Sequence, residues 1–256
     1  MTALITGAGS GMGLEYARQL AGKGYALALV DIDGEKLAAA SALSEEFGIP
    51  VHTLVQDLSE PGCAEKVTAW CDGNGLRIDL LVNNAGIFFM KYLEPSDLGK
   101  VRTMTGLHVE TVTELCILFG ARMKENGGGR ILNMSSMTAR IPAPGIVLYS
   151  ATKAYLKSFG KSISYEMRPY GVTVTTVCPA AVDTGLYPLG DRLRRTLRRF
   201  GIIRTPEWLV KKSLKATFRG RRTVSPGLMN ALLPPLVALL PGRTIERLGI
   251  KWIRRG

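Results

Sequence analysis

Thr6-Gly7-Ala8-Gly9-Ser10-Gly11-Met12-Gly13 is the stretch whose reading decides the fold. It follows a short apolar run, Ala3-Leu4-Ile5, and opens an amphipathic stretch from Gly11 to Ala21. Glycines between a strand and a helix allow a tight turn and close approach of the backbone to a pyrophosphate. The helix N-terminus then meets the phosphate charge with its free N–H groups. A glycine-rich turn alone is weak evidence, and here its weight comes from the strand before it and the helix after it. The spacing is G-x-x-x-G-x-G rather than the commoner G-x-G-x-x-G.

Outward from this turn, the chain alternates short β-rich runs with helical stretches. Ala3–Ile5, Ala26–Val30, Val51–Val55, Leu80–Val82, Arg130–Met134 and Val172–Val177 read as strands, and Arg221–Ser225 as a short seventh. Most are continuous apolar or β-branched runs, as expected of parallel strands covered on both faces. Gly11–Ala21, Glu35–Phe47, Glu60–Cys71, Asp97–Glu125 and Tyr149–Met167 read as helices. This alternation predicts an α/β fold: a doubly wound, Rossmann-type parallel sheet of six to seven strands with helices on both faces. Ligands of such sheets bind at the carboxyl ends of the strands. No linker or low-complexity stretch divides the chain, so residues 1–256 read as one domain. Residues 185–256 form a substrate loop and a basic, apolar C-terminal extension within it.

Asp31 ends the second strand, about 20 residues beyond the glycines, where a carboxylate accepts bonds from adenosine ribose hydroxyls. The same charge repels a 2′-phosphate, and positions 31–35 hold no Lys or Arg. The cofactor expectation is therefore NAD, in preference to NADP.

Of the eight tyrosines, only Tyr149 has a Lys four positions later, Lys153. On a helix both side chains then share one face, one turn apart. A phenol is a poor base at neutral pH, and a neighbouring ammonium favours its ionised form. Thirteen residues before Tyr149, Ser136 sits at the end of the fifth strand, where a hydroxyl can orient a substrate oxygen. Ser135 competes for that role, since alternation along a strand lets only one of the pair face the site.

With these residues in place, the chain resembles the short-chain dehydrogenase/reductase family over residues 1 to about 190. The family's glycine motif matches Gly7, Gly11 and Gly13, with Ser10 and Met12 inside it. Its Asn-Asn-Ala-Gly motif matches Asn83 to Gly86, with Asn84, Ala85 and Gly86 facing the cofactor. Its acidic adenine contact falls on Asp57, followed by Leu58, and its Ser, Tyr and Lys fall on Ser136, Tyr149 and Lys153. The resemblance implies proton transfer through Tyr149, with Lys153 also binding the nicotinamide ribose, and hydride transfer at the nicotinamide C4. It also implies a homodimer or homotetramer built on the two long central helices. Two departures stand out. Where the family has an Asn supporting a water relay to the Lys, this chain has His108. Where it has Pro-Gly after the sixth strand, this chain has Pro179-Ala180, followed by Val182 and Thr184, which match its nicotinamide-contacting segment.

Composition narrows the rest. Two histidines argue against a His-rich zinc site, and the four cysteines contain no C-x-x-C pair, so neither a metal centre nor a disulfide framework is expected. The net charge of +12 is uneven: residues 1–184 carry 16 Lys/Arg against 18 Asp/Glu, and residues 185–256 carry 17 against 3. The basic part is not organised as an aromatic-interleaved nucleic-acid motif, with only five aromatics in residues 185–256, which disfavours nucleic acid as a partner. Weak peripheral contact with an anionic membrane is the expectation there. The first strand begins at Thr2, leaving no room for a signal peptide, and a cytoplasmic location with peripheral membrane contact is expected.

Met137, Ile141, Pro142, Pro144 and Ile146, with Leu186, Tyr187, Pro188 and Leu189, form mostly apolar loops at the substrate end. They suit a bulky apolar secondary alcohol or ketone, with a hydroxysteroid of bile-acid type as the first reading and a lipid-like or long-chain ketone as the alternative. Arg192, Arg194, Arg195, Arg198 and Arg199 lie just beyond. A catalytically silent cofactor-binding regulator is the remaining reading, and the intact Ser, Tyr and Lys argue against it. Prolines 234 and 235 are expected to break the late apolar stretch into two short helices.

Overall fold

The computed structural model describes residues 1–89, 97–183, 195–196 and 203–253, the last six of these by backbone alone. Seven parallel strands form one sheet in the order β3-β2-β1-β4-β5-β6-β7. They are β1 (Thr2–Thr6), β2 (Ala26–Asp31), β3 (Val51–Val55), β4 (Ile78–Asn83), β5 (Gly129–Met134), β6 (Val172–Val177) and β7 (Thr223–Val224).

Side chains alternate across this sheet, and both faces are covered. Ile5, Leu27, Leu29, Leu80, Val82 and Leu132 enter a core on one side, and Leu4, Val30, Leu81 and Ile131 enter a core on the other. That is why the central strands are apolar at successive positions rather than at every second one. The first face is covered by α1 (Gly11–Ala21), α2 (Gly34–Ala40), α3 (Leu43–Phe47) and α8 (Pro206–Phe218), through Tyr16, Leu20, Leu37, Leu43, Leu209 and Leu214. The second is covered by α4 (Cys63–Gly73), α6 (Thr111–Glu125) and α7 (Val147–Met167), through Val67, Leu115, Phe119 and Leu156. All four cysteines are buried and free, and no group of metal-binding side chains occurs among the described residues.

Three elements differ from the sequence expectation. The helix expected over Glu35–Phe47 is two helices, α2 and α3. At the break, the Ser41 hydroxyl donates to the Ala38 carbonyl at 2.6 Å, a local bond that competes with the helical ladder. The helix expected over Asp97–Glu125 is α5 (Leu98–Thr105) and α6 joined by a π-helical turn, Gly106–Glu110, in which the Thr111 N–H reaches the Gly106 carbonyl. Such a turn inserts a residue without ending the helix, so the amphipathic pattern runs through it. Finally, Pro234 and Pro235 do not break the late apolar stretch. They lie inside one helix, α9 (Leu228–Ala238), followed by α10 (Gly242–Ile253). A proline at 234 cannot donate to the Asn230 carbonyl four residues back. That carbonyl instead accepts from the Arg140 guanidinium at 3.2 Å, and the Asn230 side-chain amide donates to the Pro226 carbonyl at 2.7 Å.

The order of strands reverses between β1 and β4, so the loops that leave these neighbours diverge. A crevice opens at that point, the usual ligand position in an open α/β sheet.

Candidate active site

The crevice is a cleft of about 680 Å³, within the range of small-molecule and cofactor sites. From the β1 loop it takes Gly7, Ser10, Gly11 and Met12, from the end of β2 Asp31, and from beyond β3 Asp57 and Leu58. Asn84, Ala85 and Gly86 follow β4, Ser135 and Ser136 follow β5, and Pro179, Ala180 and Val182 follow β6. Tyr149 and Lys153 enter from α7. Gly13 and His108 lie behind this lining. Thr184 lies outside the described residues, as do Leu186 to Leu189 and the arginines beyond them except Arg195, which is exposed.

The glycine loop is held against the β4 loop. The Thr6 hydroxyl accepts from the Asn84 and Ala85 amides at 3.0 Å each, and the Asn84 side-chain amide donates to the Thr6 and Gly7 carbonyls. Gly7 has φ +64°, and a Cβ there would stand 2.9 Å from the Ala85 Cα. A Cβ on Gly13 would collide with the Gly7 carbonyl. Both positions exclude any side chain, which leaves bare backbone along the start of α1. The Asn84 Oδ1 is buried without a hydrogen-bond partner, an acceptor open to a ligand's donor in this cleft. These features fit a nicotinamide dinucleotide.

Asp31 is oriented by backbone: its Oδ2 accepts from the Gly9 amide at 2.8 Å and its Oδ1 from the Asp33 amide at 3.1 Å. Lys36 also lines the cleft, and its ammonium pairs with Asp33 at 2.6 Å. The sequence reading stopped one residue short of Lys36, which one turn of α2 brings back to the loop. The Asp57 carboxylate accepts from the Ser59 amide and hydroxyl at 2.8 and 2.7 Å.

At the other end of the cleft lie Ser136, Tyr149 and Lys153, all buried. The two serines separate cleanly. Ser135 donates to the Lys153 carbonyl at 2.6 Å and so ties α7 to the end of β5. Ser136 caps the next turn, its hydroxyl oxygen accepting from the Thr138 amide and hydroxyl, and lines the cleft beside Tyr149. The Lys153 ammonium donates to the Met134 carbonyl at 3.0 Å and lies 5.5 Å from the Tyr149 ring centre. Burial pushes its pKa down to about 8, so its proton is held less firmly than that of a surface lysine.

His108 is fully buried in the π-helical turn. Its Nε2 accepts from the Ile87 amide at 3.0 Å, so Nδ1 carries the proton and donates to the Thr152 hydroxyl at 3.0 Å. That hydroxyl donates in turn to the Tyr149 carbonyl at 2.8 Å. Burial, with the Lys153 charge adding to it, lowers the imidazole pKa to about 2. Both ring nitrogens are engaged and the ring stays neutral. Through these bonds His108 links the loop after β4 to the turn of α7 that carries Tyr149.

A family model described as short chain dehydrogenase matches residues 1–189. The chain belongs to the short-chain dehydrogenase/reductase family. Among curated relatives of this dehydrogenase, the human very-long-chain 3-oxoacyl-CoA reductase is 31% identical over 93% of this chain and 75% of its own. Among solved structures, the bulky-bulky ketone specific alcohol dehydrogenase from Comamonas testosteroni aligns with a TM-score of 0.78 at 26% identity, over 94% of this chain and 95% of its own. A short-chain dehydrogenase from Sphingobium yanoikuyae, solved in complex with NADPH, aligns with a TM-score of 0.78 at 28% identity, over 94% and 96% of the two chains.

The apolar wall beside Tyr149 comes partly from residues that the sequence pattern does not single out. Met104 and Ile146 are buried against Tyr149, with Phe88, Phe89, Ala143 and Leu148 packed around them. The Phe88 ring meets Tyr149 edge-on at 5.1 Å. Of these, only Ile146 had been singled out. The signal for Phe88 and Phe89 was their place, directly after the Asn83–Ile87 segment.

Proposed function

We propose that this dehydrogenase reduces the ketone of a bulky, lipid-like substrate with NADH, and oxidises the corresponding secondary alcohol in reverse. The observation that carries the reading is the buried Tyr149–Lys153 pair walled by Phe88, Phe89, Met104 and Ile146. A hydroxyl able to deliver a proton is set between the Lys153 ammonium and an apolar surface. The glycine loop, Asp31 and Asn84 would hold the dinucleotide, which when bound would supply the hydride. Tyr149 donates the proton to the carbonyl oxygen, Ser136 orients that oxygen, and the Lys153 ammonium favours the phenolate left behind.

The names of the relatives favour a long-chain ketone over the hydroxysteroid that headed our sequence reading. They include 3-oxoacyl thioester reductases and an enzyme for ketones bulky on both sides. The first substrates to test are 3-oxoacyl thioesters of increasing chain length, with hydroxysteroids and short ketones beside them, followed at the nicotinamide absorbance band. A kcat/KM that rises with chain length supports the reading. Faster turnover of hydroxysteroids than of any acyl chain would overturn it.

NADH rather than NADPH follows from Asp31, whose carboxylate is fixed at the ribose end of the cleft. Lys36, the nearby cation, is already paired with Asp33. Because a relative is known with NADPH, the preference must come from this chain's own residues.

A further inference from the structure

Helix α9 turns an unbroken apolar face outward. Its exposed residues are Leu228, Ala231, Leu232, Pro235, Leu236, Ala238 and, at its C-cap, Leu239. Intervals of three and four place them on one side of the helix. The four leucines are 68%, 56%, 59% and 83% exposed, and no polar side chain interrupts the stripe. Asn230 and Pro234 are buried on the opposite side, and the Arg140 bond to the Asn230 carbonyl fixes the helix against the body. An apolar patch held rigidly toward water marks an interface.

The surrounding charge selects the occupant. Residues 185–256 carry 17 Lys/Arg against 3 Asp/Glu. Arg219 and Arg221 are exposed ahead of the stripe, and Arg243 and Arg247 are exposed after it. None of these four takes part in an ion pair among the described residues. A second copy of the chain would bring like charge against like charge, and a nucleic acid would leave the leucines in water. A bilayer with anionic headgroups answers both features, hydrocarbon for the leucines and phosphate for the arginines. No helix among the described residues is long and apolar enough to cross a membrane, so contact is with the surface.

We propose that α9 and its basic flanks dock the protein on an anionic bilayer surface. The Arg140 bond holds the opposite side of α9 against the turn that begins at Ser136, so the docked face points away from the body. The inference rests on α9 and its charges and stands whatever the substrate.

The test is co-sedimentation of the full chain with vesicles of phosphatidylcholine alone, and of phosphatidylcholine mixed with phosphatidylserine, at low and high salt. Binding to the mixed vesicles at low salt is expected, with little to the neutral ones. The double variant Leu232→Glu, Leu236→Glu should weaken it about tenfold or more, and so should Arg219→Gln, Arg221→Gln, Arg243→Gln and Arg247→Gln together. NADH affinity, read from protein fluorescence, should be unchanged in both variants, which shows that they fold. Equal sedimentation with neutral and anionic vesicles would overturn the proposal. So would a chain that ignores vesicles but changes from dimer to monomer with the leucine variant in the ultracentrifuge.

Discussion

The imidazole of His108 is sealed from water between the Ile87 amide and the Thr152 hydroxyl, and both bonds define what its replacement should do. An Asn side chain retains an acceptor for the Ile87 amide, so His108→Asn should keep most activity. His108→Leu leaves a buried N–H without a partner, a cost of about 1–3 kcal/mol, and should lower kcat tenfold or more. A fully active His108→Leu enzyme would show that the ring only fills space. The depressed pKa has its own consequence. Unfolding returns the imidazole to an ordinary value near 6.5, so between about 2 and 6.5 the unfolded chain binds one more proton than the folded one. Stability therefore falls as the pH drops below about 6.5, and at pH 5 this group alone accounts for about 2 kcal/mol. Thermal melts at pH 7 and pH 5 should show a smaller loss for His108→Asn than for the parent. Equal losses would contradict the assignment. At the ribose end, the Asp31 carboxylate should favour NADH over NADPH by about a hundredfold in kcat/KM, and Asp31→Ala should narrow that gap.

At the scale of elements, the contact between α1 and the glycine loop leaves no room for growth. Gly13→Ala should strain the junction by about 1–3 kcal/mol and weaken NADH binding, measurable by fluorescence titration. Arg140 plays the corresponding part for α9. Arg140→Ala removes the donor to the Asn230 carbonyl, so amide exchange across 228–238 should rise about fivefold, equivalent to about 1 kcal/mol. The elements that were legible in the sequence are those whose pattern is local. The strands announce themselves by apolar runs, and α1 and α7 by glycine punctuation and spacing. The break at Ser41, the π-helical turn at His108 and the persistence of α9 through Pro234 each depend on a hydrogen bond. Two of these are local, but the third crosses 90 residues to Arg140, and no periodicity in the sequence encodes it.

Across the whole molecule, one topological event assembles the site: the reversal of strand order between β1 and β4. It sets the glycine loop, Asp31 and Asn84 around one cleft, and the strands that follow bring Ser136, with Tyr149 and Lys153 on α7, to its far end. These residues could be picked from the sequence because each sits at the end of a recognisable strand or on a regular helix. The apolar wall beside Tyr149 could be read only in part, through Ile146, because Phe88, Phe89 and Met104 come from a separate loop and a helix and meet it only in the fold. The most direct test of the account replaces the Tyr149 hydroxyl and nothing else. Tyr149→Phe and the parent are compared for oxidation of NADH by a long-chain 3-oxoacyl thioester and for NADH affinity by fluorescence. The account predicts that turnover falls by about a thousandfold or more while NADH binds as tightly as before. Turnover within tenfold of the parent would contradict it.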